Sequence, residues 1–255
     1  MNKAMLGPML LGPMLLGSTL VLLGASAQGQ GQQSKAPSYP EMAPVAQYLI
    51  AGTQEEIALA RSAAPRSISA AATVLVLGKH GYETALKGSN GFVCFVERSW
   101  TAGFDDVEFW NPRVRAPNCF NPPAVRSVLP QYLERTEWVL AGIGRTQMIE
   151  RNRLAMANGH FRVPEAGSFS FMLSKEGYLN DAAAGPWAPH VMFFLPYGEA
   201  RAWGAGLEGS PVLGADGSKA EPTVLFIPVR RWSDNSVAQP ATGAHPQDEP
   251  CHKHG

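Results

Sequence analysis

The stretch Gly88-Ser-Asn-Gly-Phe-Val-Cys-Phe-Val-Glu-Arg-Ser-Trp100 predicts a tight turn that leads into the most apolar strand of the chain. Asn90-Gly91 is the pair that type I′ hairpin turns favour, because both central residues of such a turn need a positive φ. The run from Phe92 to Val96 has no polar side chain, so we expect this strand to be covered on both faces. Glu97 and Arg98 are interpreted as its polar end.

The residues before this turn predict partner strands. Residues 82–87 alternate apolar and polar side chains, as a half-buried strand does. A two-residue hairpin loop would place Glu83 opposite Arg98, an opposite-charge pair that supports the register. A second apolar run, residues 72–77, precedes them. We therefore expect residues 72–98 to form a three-stranded antiparallel meander.

The first 27 residues have the three parts of a secretory signal peptide. Lys3 supplies the positive charge, residues 9–23 are largely apolar, and Ala25-Ser-Ala27 fits the small-residue cleavage rule. We expect cleavage after Ala27 and export to the periplasm or the medium. No later run approaches the roughly 18 apolar residues of a membrane-spanning helix, so no stable membrane insertion is predicted.

Composition divides the rest of the chain into three parts. Residues 28–43 predict a flexible linker, residues 44–232 a single domain, and the polar residues 233–255 a disordered tail. The chain has 21 basic and 21 acidic residues, and the loss of Lys3 with the signal peptide leaves a net charge near −1. This balance argues against nucleic acid as a partner, because nucleic acid needs a basic surface.

Helical and strand patterns fall in separate blocks. Thr53 and Glu56 predict a capping box at the start of a helix that ends before Pro65. Residues 99–130 are predicted as a long irregular loop. Because helices do not alternate with strands, we predict an α+β fold, an antiparallel sheet with segregated short helices and long Gly/Pro-rich loops. Further helices are predicted at residues 130–141 and 146–157, and further strands at residues 168–173, 190–195 and 223–229.

Two segments carry a resemblance to other proteins. Asn90-Gly-Phe-Val-Cys-Phe-Val-Glu-Arg98 and Asn118-Cys-Phe-Asn-Pro122 resemble a group of uncharacterised secreted bacterial proteins. The resemblance extends from about Glu56 to Trp232. It implies export and brings no fold, activity or site residue with it, so any site has to be argued from the residues themselves.

Common catalytic and cofactor motifs are absent from the sequence. Gly204, Gly206 and Gly209 match G-x-G-x-x-G, but Ser210-Pro211 follows where a dinucleotide site needs a helix, so they are interpreted as a surface loop. The signatures of P-loop enzymes, zinc proteases, penicillin-recognising enzymes and α/β-hydrolases do not occur. No cofactor is predicted.

The best catalytic candidate is His190, which stands at the start of an apolar strand and could act as a general base. Asp181 lies nearby in the sequence and could orient it, while Ser174 or Ser170 could be the nucleophile. The alternative, which we favour, is a structural role in which His190 caps the end of its strand or bonds a loop carbonyl. His80, in a Gly-flanked turn, is interpreted as a solvated turn residue.

The C-terminal residues offer a candidate metal site. Cys251, His252 and His254 carry the sulfur and nitrogen ligands that Zn²⁺ and copper prefer. Ordering a flexible tail costs conformational entropy, however, so the favoured interpretation is a terminus without a metal.

Three cysteines in an exported protein allow one intramolecular disulfide. Cys94 and Cys119 flank the irregular segment that most needs a crosslink, whereas Cys251 lies in the predicted tail. We predict a Cys94–Cys119 disulfide that closes a loop of about 26 residues and leaves Cys251 free. The alternative is two buried thiols that only pack near each other.

The sequence is compatible with two functions. The favoured one is an exported, non-catalytic domain that binds a small molecule or an envelope component. The alternative is a secreted hydrolase with His190 as general base. Binding requires only a concave apolar pocket, whereas hydrolysis requires a histidine, an acid and a nucleophile within hydrogen-bonding reach of one another.

Overall fold

Eight strands form one sheet in the computed structural model, which describes residues 39–181, 187–219 and 221–238. Their spatial order, numbered along the chain, is 2-1-3-4-5-6-8-7. Neighbouring strands are antiparallel, except that strands 1 and 3 in chain order pair in parallel. The strands are β1 Thr73–Gly78, β2 Gly81–Leu86, β3 Val93–Glu97, β4 Ala116–Phe120, β5 Phe169–Met172, β6 His190–Leu195, β7 Leu213–Ala215 and β8 Thr223–Pro228.

The helices are short and few, which agrees with the predicted α+β class, although the sheet is mixed rather than purely antiparallel. None of the described helices is long and apolar enough to cross a lipid bilayer. The helices are α1 Thr53–Arg61, α2 Arg66–Ser69, α3 Pro122–Ser127, α4 Leu129–Leu140 and α5 Arg145–Ala157, with 3-10 turns at Val45–Gln47, Ser99–Thr101 and Ala200–Trp203.

Helices cover both faces of the strands at the centre of the sheet. On one face, α1 packs against Val74, Cys94 and Val96. On the other face, α3 and the start of α4 pack against Phe95 and Phe120. Strand β3 is buried at every residue, as its apolar run predicts. A third, aromatic cluster contains Tyr48, Trp100, Phe104, Phe109, Trp110 and Trp138.

The predicted hairpin at Asn90-Gly91 is wrong. Strand β2 does pair with β1 in an antiparallel hairpin, but β3 lies on the other side of β1 and runs parallel to it, with Val74 opposite Cys94. Asn90 does not have the positive φ of a type I′ turn. Its side chain instead accepts a hydrogen bond from the Phe92 amide and donates one to the Ile68 carbonyl.

Gly88 allows the chain to cross the start of β1 on its way from β2 to β3. A Cβ atom at this position would lie 2.2 Å from the Thr73 nitrogen and 2.3 Å from the Ala72 carbonyl carbon, so no side chain fits. The Ser89 amide donates to the Ala71 carbonyl at 2.8 Å, which fixes the crossing. These long-range bonds outweigh the local turn preference that the sequence displays.

Strand β4 lies within the segment that the sequence predicts as a long loop. It pairs antiparallel with β3, and Cys119 stands directly opposite Cys94. The two sulfur atoms lie at disulfide distance, as the predicted Cys94–Cys119 pairing requires. The strand itself is hidden in the sequence because Pro117 and Asn118 are residue types that strands disfavour.

Helix α1 begins without the predicted capping box. Thr53 is its first residue, and no side chain caps it. Glu56 is buried, and its Oε1 accepts hydrogen bonds from the Leu77 amide at 3.1 Å and from Arg98 Nη2 at 2.9 Å. Arg98 also donates to the carbonyl of Tyr48 at 2.6 Å. The glutamate therefore joins α1 to the end of β3 and does not reach back to the helix start.

Parts of the predicted linker and tail contact the rest of the chain. The Tyr39 hydroxyl donates to Asp181 at 2.5 Å, and Lys175 Nζ lies 2.7 Å from Asp234 Oδ2. The predicted signal peptide, residues 1–27, lies outside the described residues, as do residues 28–38 of the linker and 239–255 of the tail.

Candidate functional site

A cavity of about 640 Å³ lies between the sheet and helix α4. Alternate residues of a strand share one face, and on β6 this places His190, Met192 and Phe194 toward the cavity. Its volume falls within the roughly 300–1,000 Å³ of small-molecule sites. Its apolar wall is formed by Met172, Trp187, Met192, Phe194, Val224 and Phe226.

Glu97 is a buried carboxylate in the wall of this cavity. Only 7% of its surface is exposed, and it accepts hydrogen bonds from Asn118 Nδ2 at 2.5 Å and from the Thr101 hydroxyl at 2.9 Å. Burial raises the pKa of Glu97 to about 7, although these two hydrogen bonds and the charge of Arg135 lower it. Within the described part of the chain, no cationic group lies at ion-pair distance from it.

Arg135 enters the cavity from α4, but its charge is already compensated. Its Nη1 lies 3.5 Å from Glu221 Oε1, and its Nη2 donates to the Ala102 carbonyl at 2.7 Å. The guanidinium carbon also lies 4.1 Å from the centre of the Phe104 ring. Burial lowers the pKa of Arg135 and raises the pKa of Glu221. The two groups form a buried pair at one end of the cavity.

Tyr132 and Ser99 also belong to the residues that line the cavity. The ring of Tyr132 packs edge-on against Phe120 at 5.2 Å, and burial together with the charge of Glu97 raises the pKa of its hydroxyl well above 10. Within the described residues the buried hydroxyl of Ser99 makes no hydrogen bond.

His190 lines the cavity and is 4% exposed. Its Nδ1 lies 2.8 Å from the Ala188 carbonyl, a contact of the kind expected for one of the two structural roles that the sequence favours. Its ring also packs edge-on against Phe226, with the ring centres 5.5 Å apart. The histidine is thus held in place from two sides.

Asp181 belongs to a different cluster. Its carboxylate accepts hydrogen bonds from Tyr39, Asn111 and Tyr178 and forms an ion pair with Arg113 at 2.5 Å. Although burial opposes the shift, these hydrogen bonds lower the pKa of Asp181. The carboxylate is therefore engaged by groups other than the histidine that it was predicted to orient.

The structure also gives the positions of the two candidate nucleophiles, Ser174 and Ser170. Ser174 Oγ lies 2.6 Å from Ser62 Oγ, and Ser174 shares with His190 a small cleft of about 10 Å³. That volume holds roughly one water molecule. Ser170 is buried in β5, and its hydroxyl has no hydrogen-bond partner among the residues that the structure describes. Of the predicted set, the structure brings only Ser174 and His190 to one cleft, and the hydrolase stays a prediction.

The predicted metal candidates Cys251, His252 and His254 lie outside the described residues. Across residues 39–181, 187–219 and 221–238, no group of three or more His, Cys, Asp or Glu side chains could hold a metal ion.

Glu97, Tyr132 and Arg135 are the site residues that sequence reasoning missed. Counting by two from Phe95 places Glu97 on the face that packs against α4, so its position could have been found once β3 was recognised. Tyr132 and Arg135 sit within an ordinary helical pattern, and no local signal separates them from the residues beside them.

No protein-family model matches the chain, and no curated protein or solved structure is significantly similar to it. The assignment of this site therefore rests on the geometry of the cavity.

Proposed function

We propose that the protein is an exported, non-catalytic domain that binds a small, largely apolar molecule in the cavity between α4 and the sheet. The observation that carries this proposal is the cavity itself, about 640 Å³ in volume, whose wall is more apolar than polar and includes several buried polar groups. This combination is typical of small-molecule sites.

Two features support export. The N-terminal residues have the pattern of a signal peptide, with Lys3 before an apolar run and Ala25-Ser-Ala27 at its end. The Cys94–Cys119 disulfide is a bond that persists in oxidising compartments outside the cytoplasm. Both fit a binding domain that works in the periplasm or the medium.

Val224→Trp tests the location of binding, because Val224 lines the cavity and a tryptophan there would take up part of its space. Val163→Trp is the matched control, since Val163 is 58% exposed and does not line the cavity. Compounds from a small-molecule library that raise the melting temperature of the wild type should also stabilise Val163→Trp, but not Val224→Trp. Equal stabilisation of both variants would place binding elsewhere and refute the proposal.

A hydrolase is the second candidate, because His190 lines the same cavity. If His190 is structural, His190→Ala leaves the hydrolysis of nitrophenyl esters unchanged and lowers stability by about 1–2 kcal/mol through the unpaired partner. Loss of hydrolysis at an unchanged melting temperature would favour the enzyme over the binding domain.

A further inference from the structure

We propose that the molecule bound in this cavity is an organic cation with an apolar or aromatic body, and that Glu97 is the group that recognises its positive charge. This inference rests on the proposed binding function and adds the chemical class of the ligand. It starts from the fact that Glu97 is buried without a cation beside it.

Buried charges in proteins are normally paired, because an isolated charge is costly to remove from water. The two hydrogen bonds to Glu97 come from the neutral groups of Asn118 and Thr101, so its charge is solvated only in part. A cationic ligand would supply the missing partner, and binding would then stabilise the ionised carboxylate.

The two arginines that line the cavity do not supply the missing cationic partner of Glu97. Arg98 directs its guanidinium to Glu56, at 2.9 Å, and to the carbonyls of Tyr48 and Val96. Arg135 is compensated by Glu221 and by the Ala102 carbonyl. The uncompensated charge in the cavity is therefore negative, which disfavours an anionic ligand.

Further carboxylates strengthen the negative potential. Besides Glu97 and Glu221, the segment after β3 contributes Asp105, Asp106 and Glu108 to the cavity wall. A concave surface lined by one sign of charge concentrates ligands of the opposite sign. The acidic wall therefore favours the entry of a cation.

Aromatic side chains complete the match to a cation. The rings of Tyr132, Trp187, Phe194 and Phe226 line the cavity. The face of an aromatic ring attracts ammonium groups, and this attraction grows when the cation is removed from water.

Several ionisable groups lie next to Glu97 in the chain, share its cavity wall or interact with its charge. They are Arg98 beside it in the chain, Tyr82 on β2, Tyr132 and Arg135 on α4, His190 on β6 and Glu221 before β8. The charge of a quaternary ammonium probe does not change with pH, so any pH dependence of its affinity comes from the protein. We therefore choose 3-phenylpropyltrimethylammonium, its neutral isostere with carbon in place of nitrogen, and 4-phenylbutanoate.

Isothermal titration calorimetry of the wild type at pH 8 should show the ammonium probe binding roughly tenfold more tightly than its neutral isostere. Protons compete with the probe for Glu97, so the affinity for the ammonium should fall toward that of the isostere as the pH is lowered through about 7. The affinity for the neutral isostere should stay constant.

Glu97→Gln should abolish both the preference for the ammonium and its pH dependence, while the neutral isostere still binds. Glu137→Gln is the matched control, because Glu137 is an exposed glutamate on α4 that does not line the cavity, and it should behave like the wild type. If Glu97→Gln does not fold, the pH profile of the wild type still decides the question.

The remaining outcomes separate the two proposals. Binding of the neutral isostere without preference for the ammonium, or tighter binding of 4-phenylbutanoate, would overturn the cationic ligand and leave the binding function standing. Absence of binding by all three probes, together with no stabilising compound in the library, would overturn both.

Discussion

Glu56 and Glu97 are both buried beside the end of β3, but only Glu56 has a cation next to it. Glu56 is held by Arg98 and by the Leu77 amide, so it ties α1 to the sheet. Glu97 opens onto the cavity and is held by neutral groups alone. The first glutamate therefore serves the fold, and the second is available for a ligand.

Glu97→Gln should stabilise the empty protein at high pH. The folded-state pKa of about 7 lies above the ordinary value of 4.5, so the unfolded chain loses this proton first and stability falls as pH rises from about 4.5 to 7. Above pH 7 the loss reaches about 3 kcal/mol, and the variant should recover much of it. Urea denaturation at pH 8 and at pH 4.5 measures the difference.

At pH 4.5 the same variant should differ little from the wild type, because Glu97 is protonated in the folded state there. Glu137→Gln controls for the loss of a surface charge. An equal change in unfolding free energy at both pH values would show that Glu97 is not a buried carboxylate with a raised pKa.

Glu56→Gln should have the opposite effect, because it leaves Arg98 buried without its counter-charge. Loss of one member of a buried ion pair costs about 3–5 kcal/mol. Glu150→Gln, which removes the exposed pair with Arg153, should produce no measurable loss. Urea denaturation of the three proteins at pH 7 tests this, and an equal effect of both variants would contradict it.

At the level of secondary structure, the sequence predicts elements better than their pairing. The apolar run of β3, the helical patterns of α4 and α5, and the strands β5, β6 and β8 all form close to their predicted positions. The pairing of β3 with β1 was missed because Asn90-Gly91 is a strong local signal for a hairpin, whereas the bonds that decide the crossing involve residues far away in the sequence. β7 was missed because three residues that include a glycine carry no strand pattern.

Gly88→Ala should destabilise the protein by about 3 kcal/mol or more, since the new methyl group would overlap backbone atoms that cannot move aside. Gly144→Ala is the matched control, because nothing lies within 4 Å of its Cβ position and its φ is not positive. The control should change stability by no more than about 1 kcal/mol. Thermal denaturation of both variants makes the comparison, and equal melting temperatures would contradict the observed crossing.

The disulfide should contribute to the stability of the pair β3–β4. It closes a loop with a sequence separation of 25, which corresponds to about 3.5 kcal/mol in the chain-entropy estimate. The double variant Cys94→Ala, Cys119→Ala should lose about this much, as judged by urea denaturation. Non-reducing peptide mapping should show the 94–119 link, and a linked peptide that contains Cys251 would contradict the predicted pairing.

At the level of the whole molecule, one sheet supplies both the core and the cavity. Its central strands are covered by helices on both faces, and the face of β6 and β8 beside α4 is left to form the cavity wall. The α+β class could be predicted from the separate blocks of helical and strand patterns, and the disulfide from the positions of the three cysteines. The cavity could not, because its polar groups come from β3, α4 and the segment before β8, which meet only after the sheet has formed.

Export predicts where the mature protein begins. Cleavage after Ala27 should give a mature N-terminus at Gln28. Mass spectrometry of protein recovered from the periplasm or the medium should show this terminus. Recovery there with Met1 retained would refute the predicted signal peptide.

The two edges of the sheet bear on how the protein behaves when it is concentrated. One edge is β2, where Glu83 and Thr84 are exposed, and the other is β7, which has only three residues, including Gly214 with a φ of +115°. Exposed charge and very short length both discourage a second chain from adding as a further strand. Both edges of the described sheet therefore disfavour edge-to-edge association of two copies of the protein.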